Sequence, residues 1–324
     1  MGRTLIITIV AAALGLTAAV ALWHIWGRLG GLSNTSDLPA GTAQPALGAS
    51  GTLSTSEPPP PAQSSPATAP EGEPLATEAP SFTDFEQNTI SAEEVFGRLL
   101  AAAEAGSTEA ILHVAEFYGQ GWGVRQNFSE RFHWLQKAAE AGDPQGLFLA
   151  ALALEQGLGV AADQAAAQAA LVKAADAGLA AAHFQLGQDL LAGPKADPAL
   201  AALHLEEALA GGLSVAANLL GQLYLEGAGN LAPDAVKARQ AVQRGADMAD
   251  PEALKNLGVM FKEGWGGPAD PLQALKWYLA AREAGWEGDF WEILAELEAL
   301  VGAKAARQAE AEARAWVAER SSIE

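Results

Sequence analysis

From Thr108 to Gly285 apolar and small residues recur with a helical rather than a strand period, and the same pattern returns about every 36 residues. Glycines 121, 157, 193, 227 and 264 mark its register, at spacings of 36, 36, 34 and 37. Seven residues before them stand Val114, Ala150, Leu186, Leu220 and Leu257. Six before stand Ala115, Ala151, Gly187, Gly221 and Gly258, and three before stand Tyr118, Leu154, Leu190, Tyr224 and Phe261. Offsets of minus seven and minus three share one helix face, so they predict a core stripe. The small residue between them lets a second helix approach closely, and the glycine ends the first helix where a Cβ would be strained.

A second helix is predicted after each turn. Its start carries capping chemistry at Asn127 or Ser129, then at Asp163, Asp197-Pro198, Asp234 and Asp270-Pro271. Its body carries Trp134 or Trp277, for which packing in the core is expected. It closes on a small signature, as in Lys137 to Gly142, Lys173 to Gly178 and Ala280 to Gly285. Further capped starts follow at Asp143-Pro144 and Asp250-Pro251. The expected fold is therefore all-α, a solenoid of about five two-helix repeats over residues 91–324. Helical caps close it: one helix from Ser91 to Gly106, and after Gly285 an apolar helix over 289–300 and a charged one from Ala303 to Arg320 with Trp316 on its apolar side.

These units resemble the Sel1-like repeat, a relative of the tetratricopeptide repeat. Ala217 to Gly229 matches the family's first half-unit, and Phe132 to Gly142 and Leu275 to Gly285 its second. The resemblance spans about residues 91–320. It departs at Lys195, which replaces a second turn glycine, in the second repeat, which lacks the aromatic of its second helix, and around Gln240 to Gly245. It implies a bacterial interaction scaffold concerned with membrane- or wall-associated complexes. Cysteine-rich relatives have been discussed as enzymes, but this chain has no cysteine.

Ahead of the repeats the pattern changes twice. After a flank of residues 1–3, Thr4 to Trp26 contains no formally charged side chain. As a helix it would reach roughly 35 Å, enough for a hydrocarbon core of about 30 Å. Trp23 and Trp26 stand where interfacial aromatics belong, so a transmembrane anchor is expected over 4–26. A cleaved signal peptide at Ala19-Val20-Ala21 is the alternative, but the apolar run continues past that site. Arg3 and the amino terminus against Arg28 favour the body on the outer side of the inner membrane, in the periplasm. Residues 27–90 are expected to form a disordered linker rich in Pro, Ala and Ser, with Pro58 to Pro61 at its centre and no Lys or Arg between Arg28 and Arg98.

Charge and chemistry narrow the function. A formal net charge of −20 disfavours nucleic acid. The Gly-x-Gly turns lack a Walker lysine, and His113, His133, His183 and His204 show no metal-ligand spacing. No catalytic residue, metal or cofactor is therefore expected. A partner protein or peptide, envelope-associated, is expected in a groove along the first helices. Its candidate residues are His113, Glu116, Phe117, Gln185, Gln188, Asp189, Gln222, Asn256 and Met260, with Leu149 and Leu219 at equivalent offsets. Trp122 and Trp265, just after the turn glycines, are candidate anchors. The alternative function is a peptidoglycan- or carbohydrate-binding module that uses these two tryptophans as platforms.

Overall fold

The structure, a computed structural model, describes residues 91–192 and 196–321. The expected membrane helix at 4–26 and the linker at 27–90 lie outside the described residues. Among the described residues no helix is long and apolar enough to cross a membrane.

The described chain forms thirteen helices: α1 (Ala92–Glu104), α2 (Thr108–Gln120), α3 (Phe128–Glu140), α4 (Pro144–Gln156), α5 (Gln164–Asp176), α6 (Ala180–Leu191), α7 (Pro198–Ala210), α8 (Val215–Glu226), α9 (Ala235–Asp247), α10 (Pro251–Glu263), α11 (Pro271–Glu283), α12 (Trp291–Val301) and α13 (Ala303–Ser321). Pairs α2–α3 to α10–α11 are the five repeats. Helix α1 closes one end, and α12 and α13 close the other.

The helix starts follow the capping residues. Asn127 Oδ1 accepts from the amides of Ser129 and Glu130, Asp163 from Ala166, Asp197 from Leu200, Asp234 from Val236 and Lys237, and Asp270 from Leu272 and Gln273. Each such cap is worth about 1 kcal/mol. Asp143 and Asp250 cap α4 and α10 in the same way, each ahead of a proline that needs no donor.

Each first helix packs on its own second helix and also on the second helix of the preceding unit. Two partners widen its buried arc. The minus-seven residues are all core, and so are the minus-four residues Phe117, Ala153, Leu223 and Met260. The minus-three residues Tyr118, Leu154, Leu190 and Phe261 sit at the margin, half-buried, and only Tyr224 reaches the core. The stripe is thus wider than two offsets four apart require, and its second row lies one residue earlier. At minus six the need for a small residue is steric. A Cβ on Gly221 would stand 2.5 Å from Val242 Cγ2, and one on Gly258 would stand 2.9 Å from the Tyr278 ring.

The second turn glycine joins one repeat to the one before. Gly159, at φ +76°, lies so close to the start of α3 that a Cβ would stand 2.0 Å from the Phe128 carbonyl oxygen. Gly123 meets Ala92 at the start of α1 in the same way, and Gly266 meets Ala235 at the start of α9. The first, second and fifth turns therefore rest on the N-terminal turn of the helix that precedes the repeat. Between α7 and the fourth turn the joint is made by side chains: Asn230 Oδ1 accepts from the Ala199 amide, and Asn230 Nδ2 donates to Asp197.

The ends close as their composition predicts. Val95, Leu99 and Ala103 of α1 are buried on the first repeat, with Phe96 edge-on to Tyr118. Trp316 of α13 meets the buried Trp277 edge-on at 5.3 Å, and Arg320 lies over the Trp316 ring. The buried Trp134 and Trp277 are core residues, as expected.

Candidate functional site: a notch in the core register

The third repeat breaks the packing rule of the others. At minus four, where Phe117 is 0 %, Ala153 2 %, Leu223 8 % and Met260 2 % exposed, it carries Asp189, which is exposed. Its first helix, α6, also starts at Leu179 with no side-chain cap. A carboxylate cannot be drawn into an apolar core without losing its hydration, so the packing opens instead of closing over it.

A cavity of about 240 Å³ lies where α4, α5 and α6 meet. Its apolar lining is Ala151, Leu152, Ala167 and Leu171; its polar lining is Glu155, Gln164, Gln168, Gln185 and Asp189. Gln185 Nε2 donates to Asp189 Oδ1 at 2.9 Å, and Gln164 Nε2 donates to the Glu155 carbonyl at 3.2 Å. The site combines an apolar lining with two carboxylates and three amides. Such a set can hold a side chain with an aliphatic stem and a polar end, and it contains no activated nucleophile.

Elsewhere on α6 the ring of His183 meets that of His204 on α7 at a tilt of 40°. Their Nδ1 atoms are 3.0 Å apart and their centroids 5.3 Å. At that distance one Nδ1 donates a proton and the other must accept it. Burial, and then the neighbouring His183, lower the pKa of His204, against the opposing pull of Asp176 and Glu207. In the fourth repeat the Tyr224 hydroxyl donates to Glu206, and burial and that carboxylate raise its pKa.

The residues expected to bind a partner divide into four groups. Gln185 and Asp189 line the cavity, with Gln188, half-buried, on the same helix. Phe117 and Met260 are turned into the core, because minus four belongs to the widened apolar arc. Asn256 is committed to a neighbouring repeat: its Nδ2 donates to Asn218 Oδ1 at 2.9 Å, while Asn218 Nδ2 and Ser214 Oγ both donate to Asp250. That ladder ties α8 to α10. Gln222 is exposed and donates to Glu226, whereas His113 and Glu116 are half-buried, Glu116 accepting from Gln120 and acting by its charge on Arg131 of α3.

The two turn tryptophans differ in spite of equivalent positions. Trp122 packs half-buried and edge-on against Phe117 at 5.7 Å. Trp265 is 44 % exposed. Its backbone is fixed, since Arg239 Nε donates to the Trp265 carbonyl at 2.6 Å and Arg239 Nη2 to the Met260 carbonyl at 2.8 Å. Sequence reasoning missed Arg239, Asn218 and the cavity residues Glu155, Gln164 and Gln168. Arg239 alone left a signal, a cation set one repeat-joint away from a helix C-terminus.

Comparison with known proteins gives the family. A search of the curated proteins found no match. Among solved structures, the Sel1 repeat protein from Oxalobacter formigenes is similar at 23 % identity and a TM-score of 0.53, over 72 % of this chain and 92 % of that one. A protective antigen of uropathogenic Escherichia coli is similar at 20 % identity and a TM-score of 0.40, over 70 % of this chain and 64 % of that one. The immunity protein Pa5087 from Pseudomonas aeruginosa is similar at 20 % identity and a TM-score of 0.40, over 75 % of this chain and 86 % of that one. The Sel1 repeat is matched five times, at residues 108–143, 144–179, 180–213, 214–249 and 251–286, in the same register as the helix pairs α2–α3 to α10–α11, and the chain belongs to the Sel1 repeat family.

Proposed function

We propose that this Sel1-repeat chain is a non-catalytic scaffold that takes a segment of a partner protein along its first helices, centred on α6. Sel1-repeat proteins typically serve in protein–protein interaction. The observation that carries the reading here is the cavity at α4, α5 and α6, with Gln185 and Asp189 on its wall. The apolar stretch Thr4 to Trp26 supports the further reading that the scaffold is tethered to the inner membrane, and the charge asymmetry around that stretch supports a periplasmic body and an envelope-associated partner. The test joins both parts. Reporters active only in the periplasm or only in the cytosol are fused after Glu324, and cross-linked partners are compared between the parent and a Gln185→Ala, Gln188→Ala, Gln222→Ala variant. Periplasmic activity in the membrane fraction, with partners lost in the variant, is expected. Partners retained by the variant would sink the groove reading, and cytosolic activity would sink the outward orientation.

One observation favours a second reading. Trp265 is exposed on a backbone clamped by Arg239, as a carbohydrate platform would need to be. Trp122 packs on Phe117, so Trp265 would act without it. Cell-wall sacculi should sediment the protein, and Trp265→Ala should abolish this, if peptidoglycan is the ligand.

A further inference from the structure

We propose that His183 and His204 form a clasp between α6 and α7 that tolerates one proton, rejects a second, and so frees α6 when the medium is acidified. The clasp stands on its own geometry. That its opening would matter to a partner rests on the groove reading above, because α6 carries Gln185 and Gln188.

The first observation is register. His183 stands ten residues before its turn glycine, where the other repeats hold Ile111, Leu147, Ala217 and Leu254. His204 stands seven residues after its capping residue, where they hold Trp134, Ala170, Ala241 and Trp277. In the first and fifth repeats both positions are core. Only the third repeat places two titratable rings at a joint that the others fill with apolar side chains.

The second is the geometry of the contact. The Nδ1 atoms are 3.0 Å apart and the centroids 5.3 Å, which is the nitrogen separation plus about one ring radius at each end. The two nitrogens therefore face each other head-on. One Nδ1–H and one bare Nδ1 satisfy this arrangement, whether the donor ring is neutral or charged. Two protonated rings would aim two N–H groups at each other and repel as like charges. The charged groups that act on the pair are Asp176 at the end of α5 and Glu207 on α7, and both favour a charged ring. They support the first proton, but they cannot turn the second N–H into an acceptor.

The third is the freedom of α6. Leu179 gives it no side-chain cap, and it ends at Ala192 in extended backbone, not at the left-handed glycine that ends α2, α4 and α10. The cavity borders it on the α5 side. A helix held lightly at its ends and along one side feels the loss of a contact on the other. The second proton is bound only by the open form. The closed contact is therefore fully present above about pH 6.5, the ordinary histidine value, and is lost as the pH falls below it, the open population growing up to about tenfold per pH unit.

The test uses the full chain in detergent micelles. Amide exchange is followed by mass spectrometry at pH 7.5 and 5 in the parent, in His183→Gln and in the double variant His183→Leu, His204→Trp. A carboxamide at position 183 can donate to a neutral His204 or accept from a charged one, and the double variant restores the pairing of Leu254 with Trp277 in the fifth repeat. Chains are compared at the same pH, so the intrinsic pH dependence of exchange cancels. The amides of α6 should exchange alike in all three at pH 7.5 and about tenfold faster in the parent at pH 5, with α2 and α10 unchanged. Histidine side-chain NMR should show His204 titrating at higher pH in His183→Gln than in the parent, a readout that does not need the double variant to fold. Equal α6 exchange in the parent and His183→Gln at pH 5, or a His204 titration indifferent to His183, would overturn the clasp. Faster exchange of α2 and α10 along with α6 would also overturn it, since it reports general acid unfolding. None of these outcomes bears on the groove, whose own test is the loss of partners described above.

Discussion

The contact between a turn glycine and the preceding repeat can be isolated by substituting two glycines that share a backbone conformation and differ only in surroundings. Gly159 has φ +76° and Gly178 φ +85°. A Cβ on Gly178 meets nothing within 4 Å, whereas on Gly159 it would stand 2.0 Å from the Phe128 carbonyl oxygen and 2.3 Å from its carbon. Gly178→Ala therefore carries only the left-handed backbone penalty, about 1–2 kcal/mol, reduced by about 0.4–1 kcal/mol for the less flexible unfolded chain. Gly159→Ala carries that and must also lift the turn from the first turn of α3, since main-chain atoms cannot rotate away. Strain of this kind adds about 1–3 kcal/mol. The assay is urea unfolding of both variants followed by circular dichroism, with the parent as reference. Gly159→Ala should lose roughly 2 kcal/mol more than Gly178→Ala, about 4–8 °C in melting temperature for a body of this size. It should also broaden the transition, because it weakens the coupling of the first two repeats. Equal losses in the two variants would refute the claim that the turn is seated on the preceding helix.

Three further outcomes are expected. His204 has its pKa lowered on folding, so the unfolded chain takes up the proton first: stability is full above about pH 6.5 and falls as the pH drops below it, and His204→Gln should flatten that slope in thermal melts between pH 7.5 and 5. Leu257→Ala, at a fully buried minus-seven position, should cost about 2–5 kcal/mol in urea unfolding, against less than 0.5 for the exposed Leu300→Ala. Arg239→Lys cannot reach both the Trp265 and Met260 carbonyls, so it should lower stability by about 1.5–3 kcal/mol and make the Trp265 fluorescence more quenchable; an unchanged Stern–Volmer slope would argue against the clamp.

Much of this architecture is written locally and so is legible in the chain. Capping aspartates, turn glycines and alternating small and large apolar residues act within one or two helical turns, and Asp163, Asp234 and Asp270 cap where they were expected to. The family register follows from their repetition. What depends on two helices at once was less legible. Phe117 and Met260 had offsets compatible with a groove, but a first helix touches two second helices, and the wider arc draws them inward. Asn256 carried the amide expected of a ligand contact, yet its partner Asn218 lies 38 residues away on the first helix of the preceding repeat. His183 and His204 lack ligand spacing, but antiparallel packing of α6 on α7 brings them together. Asp189 was assigned to the groove by its offset. Glu155, Gln164 and Gln168 come from the preceding repeat, and no local pattern links them to Asp189.

The seating of the first, second and fifth turns on the unit before them also gives the chain a direction during synthesis. Gly123 rests on α1, Gly159 on α3 and Gly266 on α9, and in each case the seat was translated before the turn that occupies it. A turn leaving the ribosome therefore finds its docking surface already made, and no repeat has to hold an unfinished loop open while a later one is synthesised. The growing end of the solenoid is closed only when α13 brings Trp316 onto Trp277, so the last apolar surface to be exposed is also the last to be translated against. Nascent chains arrested after Gly178 should then already protect the amides of α1 to α3 from exchange, whereas a body beginning at α4 would lack the seat on which Gly159 closes.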